Sequence, residues 1–296
     1  MPARPFSRRV ADRAANLAFR AVLGIALALP HRARLSLFGW VARRIAAPLA
    51  GWPRRIRGNL AHAWPDLPAA EVDRLTRLVP DRMGRTILEF YTAPALRARL
   101  SEPQGAGADA FAAAMTSGRP VLIALSHFGN YTAFRVWMTD RYGTSAALYR
   151  PMRNTGFNLH YLRALGDSGG PLFPQSRAGM RALLRHLEAG NAVAILHDQR
   201  ADDGPVLPFF GRPARTSLSI PRLAQRTGAQ VFPVYATRQR DGESFALEIE
   251  PPLSPGPAEE MMRALNASLE ARIRAHPDQW MWTHRRWLDG GRPGTD

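Results

Sequence analysis

Short apolar runs alternate with helix-like segments along most of this chain of 296 residues, and that alternation constrains the fold most. Residues 121–126 form a run of six mostly apolar residues, with Arg119-Pro120 before it and Gly129-Asn130 after it. Ala192–Leu196 is a second such run. Apolar runs of this length between turn residues are typical of buried strands.

The segments between these runs have helical spacing. We predict further strands over residues 145–149, 231–237 and 245–249, and helices over residues 131–138, 156–165, 176–189, 217–226 and 259–275. Residues 69–91 also have helical spacing, although Pro80 should kink or divide that helix. The alternation predicts an α/β fold in which helices flank a central, largely buried sheet.

The chain has no composition break or long linker that would separate two large domains. We therefore predict an apolar and basic N-terminal helical extension over residues 1–53 and one domain over residues 54–296. Cysteine is absent, which excludes disulfides, cysteine nucleophiles and cysteine-based zinc sites. The eight histidines are dispersed, so we expect no metal site.

The formal net charge is +16, and all 40 basic residues are arginines. Such a chain is attracted to anionic surfaces, either nucleic acid or the phospholipid face of a membrane. The sequence has no helix-turn-helix, RNP-type or zinc-module signature of a nucleic-acid-binding protein. Arginine pairs lie instead in or beside apolar segments, at Arg8-Arg9, Arg43-Arg44 and Arg54-Arg55. This pattern favours an anionic membrane surface and no nucleic acid.

Two apolar segments near the N-terminus, residues 17–29 and 35–49, are interrupted by arginines. Neither reaches the run of about 18 apolar residues expected of a transmembrane helix. Two helices lying in the membrane interface, with arginines reaching lipid phosphates, would explain the pattern. A helical hairpin packed on the rest of the protein explains it equally well. A signal peptide fits poorly, because Asp12, Arg13 and Arg20 interrupt the region.

His127 follows the first apolar run and precedes a predicted helix. A histidine can take and return a proton near neutral pH, and backbone N–H groups at a helix N-terminus stabilise negative charge. These properties suit a catalytic base at a strand end. The alternative is a structural histidine that caps the strand.

Several sequence blocks between Arg54 and Trp287 occur in a characteristic order and spacing. They are residues 57–65 (RGNLAHAWP), 127–131 (HFGNY), 149–154 (YRPMRN), 198–199 (DQ), 208–211 (PFFG), 223–224 with 227–229 (LA and TGA), and 277–287 (PDQWMWTHRRW). In this order the chain resembles the bacterial lipid A late acyltransferases and the related phosphatidylinositol mannoside acyltransferases.

This resemblance implies a glycerolipid acyltransferase-like fold and an acyl transfer reaction. An acyl group would move from a thioester of acyl carrier protein or coenzyme A to a hydroxyl or amine acceptor, a lipid or glycolipid, with His127 as general base. No metal or redox cofactor is required. The expected location is the cytoplasmic face of the bacterial inner membrane, with a soluble cytoplasmic protein as the alternative. Two other functions stay open: acylation of a specialised metabolite, and non-catalytic binding of lipid or acyl carrier.

In that family a histidine is followed five residues later by Asp or Glu, but here that position is Thr132. A threonine hydroxyl can accept a hydrogen bond from the imidazole but carries no charge. Asp198 is the best replacement, because the strand over Ala192–Leu196 would present His197, Asp198 and Gln199 at its end. Otherwise the acceptor needs no strong base, or the activity has been lost.

The resemblance also implies roles for two arginines after the predicted strand at 145–149. Arg150, together with backbone N–H groups, would stabilise the tetrahedral oxyanion of acyl transfer. Arg153 would bind substrate, for example a phosphate of the donor or of a lipid head. The alternative is that both are ordinary surface arginines in an arginine-rich chain.

We assign substrate binding to a further set of residues on the same grounds. Phe209 and Phe210 would line an acyl or acceptor pocket, or else belong to the core. Arg215 and Thr216 would contact an anion, or Thr216 or Ser217 would be a helix N-cap. Residues 280–287 would pack beneath the site, with cation–π contacts between their arginines and tryptophans. The remaining candidates lie beside His127 or Asp198: Gly129, Asn130 and Gln199.

Overall fold

The structure is a computed structural model that describes residues 6–152 and 155–287. Its α-helices are α1 (Phe6–Leu27), α2 (His31–Val41), α3 (Ala47–Leu49), α4 (Trp52–Ala63), α5 (Ala69–Phe90), α6 (Ala93–Arg97), α7 (Ala108–Thr116), α8 (Tyr131–Tyr142), α9 (Thr155–Asp167), α10 (Arg177–Glu188), α11 (Ser219–Thr227) and α12 (Ala258–Ala275). A π-helical turn, Ala42–Ala46, joins α2 to α3, and a 3₁₀ turn, Pro277–Gln279, follows α12.

Six strands form a central sheet in the order β3-β2-β4-β1-β7-β8, and two more form a separate hairpin. Every pair in the central sheet is parallel except β7 with β8, which is antiparallel. The strands are β1 (Val121–Leu125), β2 (Ala146–Tyr149), β3 (Leu172–Pro174), β4 (Ala192–Leu196), β5 (Val206–Phe209), β6 (Arg212–Arg215), β7 (Gln230–Arg238) and β8 (Phe245–Ile249).

Alternate residues of β1 point into two separate hydrophobic clusters, one on each face of the sheet. Ile123 and Leu125 belong to the cluster that includes α8, and Leu122 and Ala124 belong to the cluster that includes α10 and α12. A strand covered by helices on both faces needs a continuous apolar run instead of alternation, because successive side chains point to opposite faces. The predicted α/β fold with a central, largely buried sheet is thereby confirmed.

Proline and glycine caused the main differences between predicted and observed elements. Of the two alternatives for Pro80, a kink or a division, the structure excludes the division, because Ala69–Phe90 forms one helix, α5, that continues through this proline. The segment around Phe209 and Phe210, for which no strand was predicted, is the β5–β6 hairpin. Its turn has positive φ at Phe210 (54°) and Gly211 (69°), the combination that a tight hairpin turn needs.

The N-terminal helices contact the rest of the protein and also expose apolar side chains. Leu35 and Phe38 of α2 are buried with Leu88 of α5. Two side chains on α1 and α3 are largely exposed, Leu17 at 70% and Leu49 at 85%. Among the described residues, no helix is long and apolar enough to span a bilayer. The division of the chain at residue 53 stays a prediction.

Candidate active site

Two neighbouring parallel strands end side by side at one edge of the sheet. Leu125, the last residue of β1, pairs with Leu196, the last residue of β4. The backbone N–H of His197 continues the pairing by donating to the carbonyl of Leu125 (3.1 Å). His127 and Asp198 each lie two residues beyond the end of their strand, so the parallel register brings them together although 71 residues separate them.

Asp198 holds His127 through both of its carboxylate oxygens. Its Oδ1 lies 2.8 Å from His127 Nδ1, and its Oδ2 accepts the backbone N–H of His127 at 3.0 Å. The indole N–H of Trp280 donates to the same Oδ2 at 2.8 Å. The side chain of Asp198 is 2% exposed and that of His127 is 17% exposed. The carboxylate is therefore buried and fully engaged, and the imidazole is fixed at one nitrogen.

The surroundings of Asp198 favour its charged form. Burial by itself would raise the pKa of this carboxyl group. The charge of His127, its hydrogen bond and the hydrogen bond from Trp280 outweigh burial and hold the pKa of Asp198 well below its ordinary value. Asp198 is thus a carboxylate at neutral pH and can accept a hydrogen bond from an N–H at His127 Nδ1. In that tautomer the free lone pair of the imidazole is on Nε2.

His127 also lines a cavity of about 120 Å³. Its walls are mainly apolar side chains of α5 and of the C-terminal segment: Val79, Met83, Ile87, Phe90, Trp280 and Met281. The Arg82–Asp278 ion pair lies at its polar side. Gln199 Nε2 is 3.5 Å from His127 Nε2, a long contact, and is the polar neighbour of that nitrogen. The cavity suits an apolar group placed against a basic nitrogen.

The turn between His127 and α8 is fixed by backbone hydrogen bonds. Gly129 lines the cavity, has φ of 57° and lies so close to the carbonyl oxygen of Ala236 that a side chain would not fit. Its N–H donates to the carbonyl of Gln279 (2.8 Å), and the N–H of Asn130 donates to the carbonyl of Ala236 (3.0 Å). Gly129 is therefore needed for the path of the backbone.

Asn130 is the N-cap of α8 and is fully buried, so its predicted contact with substrate is not supported. Its Oδ1 accepts the N–H of Thr132 (3.0 Å), and its Nδ2 donates to Glu89 (2.8 Å). Glu89 in turn receives two hydrogen bonds of 2.6 Å from Arg238, and both members of this ion pair are almost completely buried. Asn130 and Glu89 do not line the cavity, so Asn130 positions the turn, whereas Arg238 is also part of the cavity wall.

Thr132 makes no contact with the imidazole. It is fully buried in the first turn of α8, and its Oγ1 has no hydrogen-bond partner in the part of the chain that the structure describes. His127 Nδ1 pairs with Asp198 instead. Of the explanations for the missing acid, the structure favours replacement by Asp198.

Four of the backbone N–H groups around this turn, which could have held an oxyanion, are already used. Those of His127, Gly129, Asn130 and Thr132 all donate to acceptors within the protein. Arg150 is exposed immediately after β2, at the same edge of the sheet but outside the cavity lining. Arg153 lies outside the described residues.

Phe209 and Phe210 belong to the core and do not line the cavity beside His127. They pack in an aromatic cluster with Trp280, Trp282 and Trp287, and the indole of Trp287 donates to the carbonyl of Phe209 (3.0 Å). The cation–π contact observed for residues 280–287 also differs from the one expected between the arginines and tryptophans of this segment. Arg286 lies over the ring of Phe209, 4.9 Å from its centre, and not over an indole. These aromatic residues support Trp280 from beneath.

Arg215 and Thr216 also differ from expectation. The guanidinium of Arg215 donates to the carbonyl of Gly204 (3.2 Å), and Thr216 is fully buried with its Oγ1 accepting from Arg286 (2.8 Å). Helix α11 starts at Ser219, and Thr216 does not cap it, whereas Ser217 Oγ accepts the N–H of Ser219 (3.2 Å). Both assigned residues hold the β6 end of the hairpin against the C-terminal segment.

Three residues of this site were missed by sequence reasoning: Trp280, Glu89 and Arg238. Trp280 was assigned to packing, because nothing in a tryptophan-rich run distinguishes an indole that donates to a carboxylate. Glu89 and Arg238 lie 149 residues apart, and a buried ion pair has no local sequence signal. Asn59 in the first family block could have indicated that this block contacts the C-terminal segment, since its amide donates to the carbonyls of Trp282 (2.6 Å) and His284 (2.7 Å).

Among residues 6–152 and 155–287, no group of three or more His, Asp or Glu side chains could hold a metal ion.

Comparison with known proteins agrees with this architecture. The family model described as bacterial lipid A biosynthesis acyltransferase matches residues 3–289. A phosphatidylinositol mannoside acyltransferase of Mycolicibacterium smegmatis is 27% identical over 279 residues, covering 92% of this chain and 91% of the relative. One from Mycobacterium tuberculosis is 27% identical over 271 residues, covering 88% and 84%. The lipid A biosynthesis lauroyltransferase of Escherichia coli is 28% identical over 146 residues, covering 47% of each chain.

Proposed function

Because the chain belongs to the bacterial lipid A biosynthesis acyltransferase family and is an enzyme that transfers acyl groups to a lipid or glycolipid, we propose that His127 is its general base and Asp198 the carboxylate that orients it. The observation that carries this proposal is the 2.8 Å contact between His127 Nδ1 and Asp198, with Nε2 left for substrate. In serine-protease triads, neutralising the equivalent carboxylate lowers turnover by about 10⁴. Asp198 supplies that negative charge where Thr132 does not.

The proposed reaction needs only proton transfer and nucleophilic attack. His127 Nε2 takes the proton of an acceptor hydroxyl while the oxygen attacks the carbonyl carbon of an acyl thioester. The tetrahedral oxyanion then collapses, the carbon–sulfur bond breaks, and protonated His127 returns its proton to the leaving thiolate. Asp198 stabilises the imidazolium that exists between these two steps. The products are an acyl ester and a free thiol.

The cavity of about 120 Å³ beside His127 is proposed to hold the start of the acyl chain. Its lining is mainly apolar, and apolar side chains of α5 form one wall. Burial of hydrocarbon there stabilises binding by roughly 0.8 kcal/mol per methylene group. Gln199 is proposed to contact the acceptor, since its amide is the polar neighbour of Nε2. The donor is a thioester of acyl carrier protein or coenzyme A.

Arg150 remains our candidate for stabilising the oxyanion. It follows β2, whose carboxyl end lies at the same edge of the sheet as those of β1 and β4. The backbone N–H groups of Gly129, Asn130 and Thr132 are occupied, so the charge on the oxygen needs another donor. A guanidinium has the charge and the N–H donors that this role requires.

We also propose that the N-terminal helices contact an anionic membrane surface. Leu17, Ile25, Trp40, Ile45 and Leu49 are 46–85% exposed on α1, α2, the π-helical turn and α3. Exposed arginines lie among them or just after them, including Arg20, Arg44, Arg54 and Arg55. Apolar side chains that enter the acyl region, flanked by arginines that reach phosphates, are typical of interfacial helices. A lipid acceptor would reach the enzyme from that surface.

Thiol release from an acyl thioester tests the acyl transfer mechanism. Purified protein would be incubated with acyl carrier protein or coenzyme A thioesters and with a phosphatidylinositol mannoside or a lipid A precursor as acceptor. We expect acceptor-dependent thiol release that His127→Ala reduces at least 10³-fold. His160→Ala is the matched control, because His160 lies on α9 outside the site, and it should retain activity. Acceptor-dependent turnover by His127→Ala near that of the wild type would reject the general-base assignment.

Vesicle flotation tests the membrane proposal separately. The wild type should float with phosphatidylglycerol vesicles and much less with phosphatidylcholine vesicles, because the arginines favour anionic lipid. Replacing Leu17 and Leu49 by Ser should reduce flotation several-fold. The control is Val206→Ser, which removes an apolar side chain that is 47% exposed on the β5–β6 hairpin. Equal flotation with both lipids, or an equal loss in the control, would contradict the proposal.

A further inference from the structure

Arg135, on the buried face of α8, has a guanidinium group that the protein only partly engages. The residue is 2% exposed. Its Nη2 donates to the carbonyls of Ser145 (2.9 Å) and Gly169 (2.7 Å). Its Nε and Nη1 have no partner within residues 6–152 and 155–287. The structure thus leaves N–H donors of a buried cation without acceptors.

No carboxylate neutralises this cation within the described residues. The groups that act on the pKa of Arg135 besides burial are the hydroxyls of Tyr131 and Tyr161. Burial lowers the pKa of Arg135 to about 10, so the side chain is still charged at neutral pH. A buried charge without a counter-charge is costly, and proteins normally pair it or bind an ion there. Arg238, another buried arginine, shows the usual arrangement, because it forms an ion pair with Glu89 at 2.6 Å.

A small cavity of about 20 Å³ lies beside this cation. Its walls include Arg135, Tyr131 and Tyr161 together with apolar side chains from the ends of β1 and β4, Leu125 and Leu196. The two tyrosines hydrogen-bond to each other, and burial raises the pKa of both. Both therefore keep their O–H protons at neutral pH, and since one of these O–H groups donates to the other tyrosine, one is left to donate to a ligand. The cavity contains N–H and O–H donors but no acidic side chain.

We propose that Arg135, Tyr131 and Tyr161 form a site for a single small inorganic anion, of which chloride is the representative. The cavity volume limits the size of the anion. A cavity of about 10–15 Å³ holds one water-sized particle, and a phosphate or sulfate needs several times that volume. The charge distinguishes an anion from a water molecule, because only the anion neutralises the guanidinium. The free N–H groups of Arg135 supply the charge-assisted hydrogen bonds.

The anion site lies directly behind the wall of the reaction cavity. Tyr131 lines both cavities, and its ring meets that of His127 edge to face with 5.5 Å between ring centres. An anion bound in this cavity would hold the hydrogen-bonded pair of Tyr131 and Tyr161 in place. It would thereby fix Tyr131, the first residue of α8, against the imidazole. The site goes beyond acyl transfer, and its existence can be tested without any substrate.

Bromide, a heavier analogue of chloride, tests the site directly in crystals of the wild-type protein. We expect an anomalous peak in the cavity within about 3.5 Å of Arg135 Nε or Nη1, because bromide accepts the same hydrogen bonds as chloride. The peak should be lost in Arg135→Met and weakened in Tyr161→Phe. A water molecule in the cavity, or bromide peaks only elsewhere on the surface, would overturn the proposal.

Thermal unfolding in solution supplies a second measurement. At constant ionic strength, replacing gluconate by chloride should raise the Tm of the wild type by roughly 3 °C, since an ion that binds only the folded state stabilises it. Arg135→Met should lose this chloride dependence. Arg286→Met is the matched control: it removes another buried guanidinium with a free Nε, so it should lower the Tm and keep the chloride dependence. Equal chloride effects in the wild type and Arg135→Met would overturn the proposal.

Discussion

The start of α8 and the end of β4 both border His127, and only one of them carries the acid. At the start of α8, Thr132 is buried, its hydroxyl has no hydrogen-bond partner among the described residues, and Asn130 caps the helix. At the end of β4, Asp198 contacts both the imidazole and the backbone of His127. The first position is adjacent in sequence, whereas the second is adjacent through the parallel pairing of β1 and β4. A catalytic carboxylate can therefore be lost from a motif and still be present in space.

This difference also separates two kinds of polar network. The α8 network of Asn130, Glu89 and Arg238 is buried and makes no hydrogen bond to His127, so it fixes the turn, and its Arg238 forms part of the cavity wall. The β4 network of Asp198 and Trp280 ends at His127, whose side chain borders the cavity. The first network shapes the site, and the second is the one that we connect to chemistry.

The largest effect should come from Asp198→Asn. The amide keeps the size of the side chain but removes the charge and can stabilise the wrong tautomer of His127. We expect the kcat of acyl transfer to fall by about 10²–10⁴, with a much smaller change in KM. Single-turnover kinetics with an acyl thioester would measure it. Activity within threefold of the wild type would contradict the claim that the acid acting on His127 lies at the end of β4 and not at the start of α8.

The two regions should also differ in their effect on stability: a histidine at the end of β4 should make the free energy of unfolding depend on pH, whereas Thr132 at the start of α8 should not. Burial lowers the pKa of His197 to about 4 in the folded protein, against 6.5 in a free histidine. As the pH falls below about 6.5 the unfolded chain binds the proton first, so the contribution of His197 to the free energy of unfolding decreases until about pH 4 and then levels off. One such histidine accounts for on the order of 3 kcal/mol.

Urea unfolding of His197→Gln would test this pH dependence. The variant should lose less stability than the wild type between pH 7 and pH 4. Its remaining slope is expected from His31 and His284, whose pKa values burial also lowers to about 4. Thr132→Val serves as the control and should follow the wild type across this range. Parallel curves for His197→Gln and the wild type would contradict the assignment.

A smaller effect is expected from Trp280→Phe. This change removes the indole N–H that donates to Asp198 Oδ2, while most of the aromatic contact area stays. A hydrogen bond to a charged group is worth roughly 1.5–3 kcal/mol, so we expect kcat to fall about tenfold. Trp282→Phe, whose indole donates to the carbonyl of Pro277 instead, is the matched control. Equal losses in the two variants would mean that only packing is involved.

The smallest effect should come from Thr132→Val. Valine has nearly the same shape as threonine and replaces a hydroxyl that has no partner among the described residues. We expect kcat within twofold of the wild type and a free energy of unfolding that is unchanged or higher, because an unsatisfied buried polar group is removed. The same kinetic and urea assays measure both. A large loss of kcat would place catalytic function at the start of α8 after all.

The sequence predicted the parts of this site that local pattern encodes. Short apolar runs placed β1 and β4, and the strand end at Leu196 suggested that Asp198 would be presented near His127. Contacts across long sequence separations were not predicted, including Trp280 with Asp198 and Glu89 with Arg238. Phe209 and Phe210 were ambiguous, because an apolar pair in a Pro- and Gly-rich segment fits a pocket and a core equally well. Tertiary packing decided for the core.

The central claim, that Asp198 and not Thr132 orients His127, is tested most directly by ¹⁵N NMR of the histidine side chains, which requires no substrate. Comparison with His127→Gln would assign the signals of His127. The account predicts that the wild type and Thr132→Val share one dominant tautomer, with the proton on Nδ1. Asp198→Asn should lose that tautomer. A dominant Nε2–H tautomer in the wild type, or a change in Thr132→Val with none in Asp198→Asn, would contradict the account.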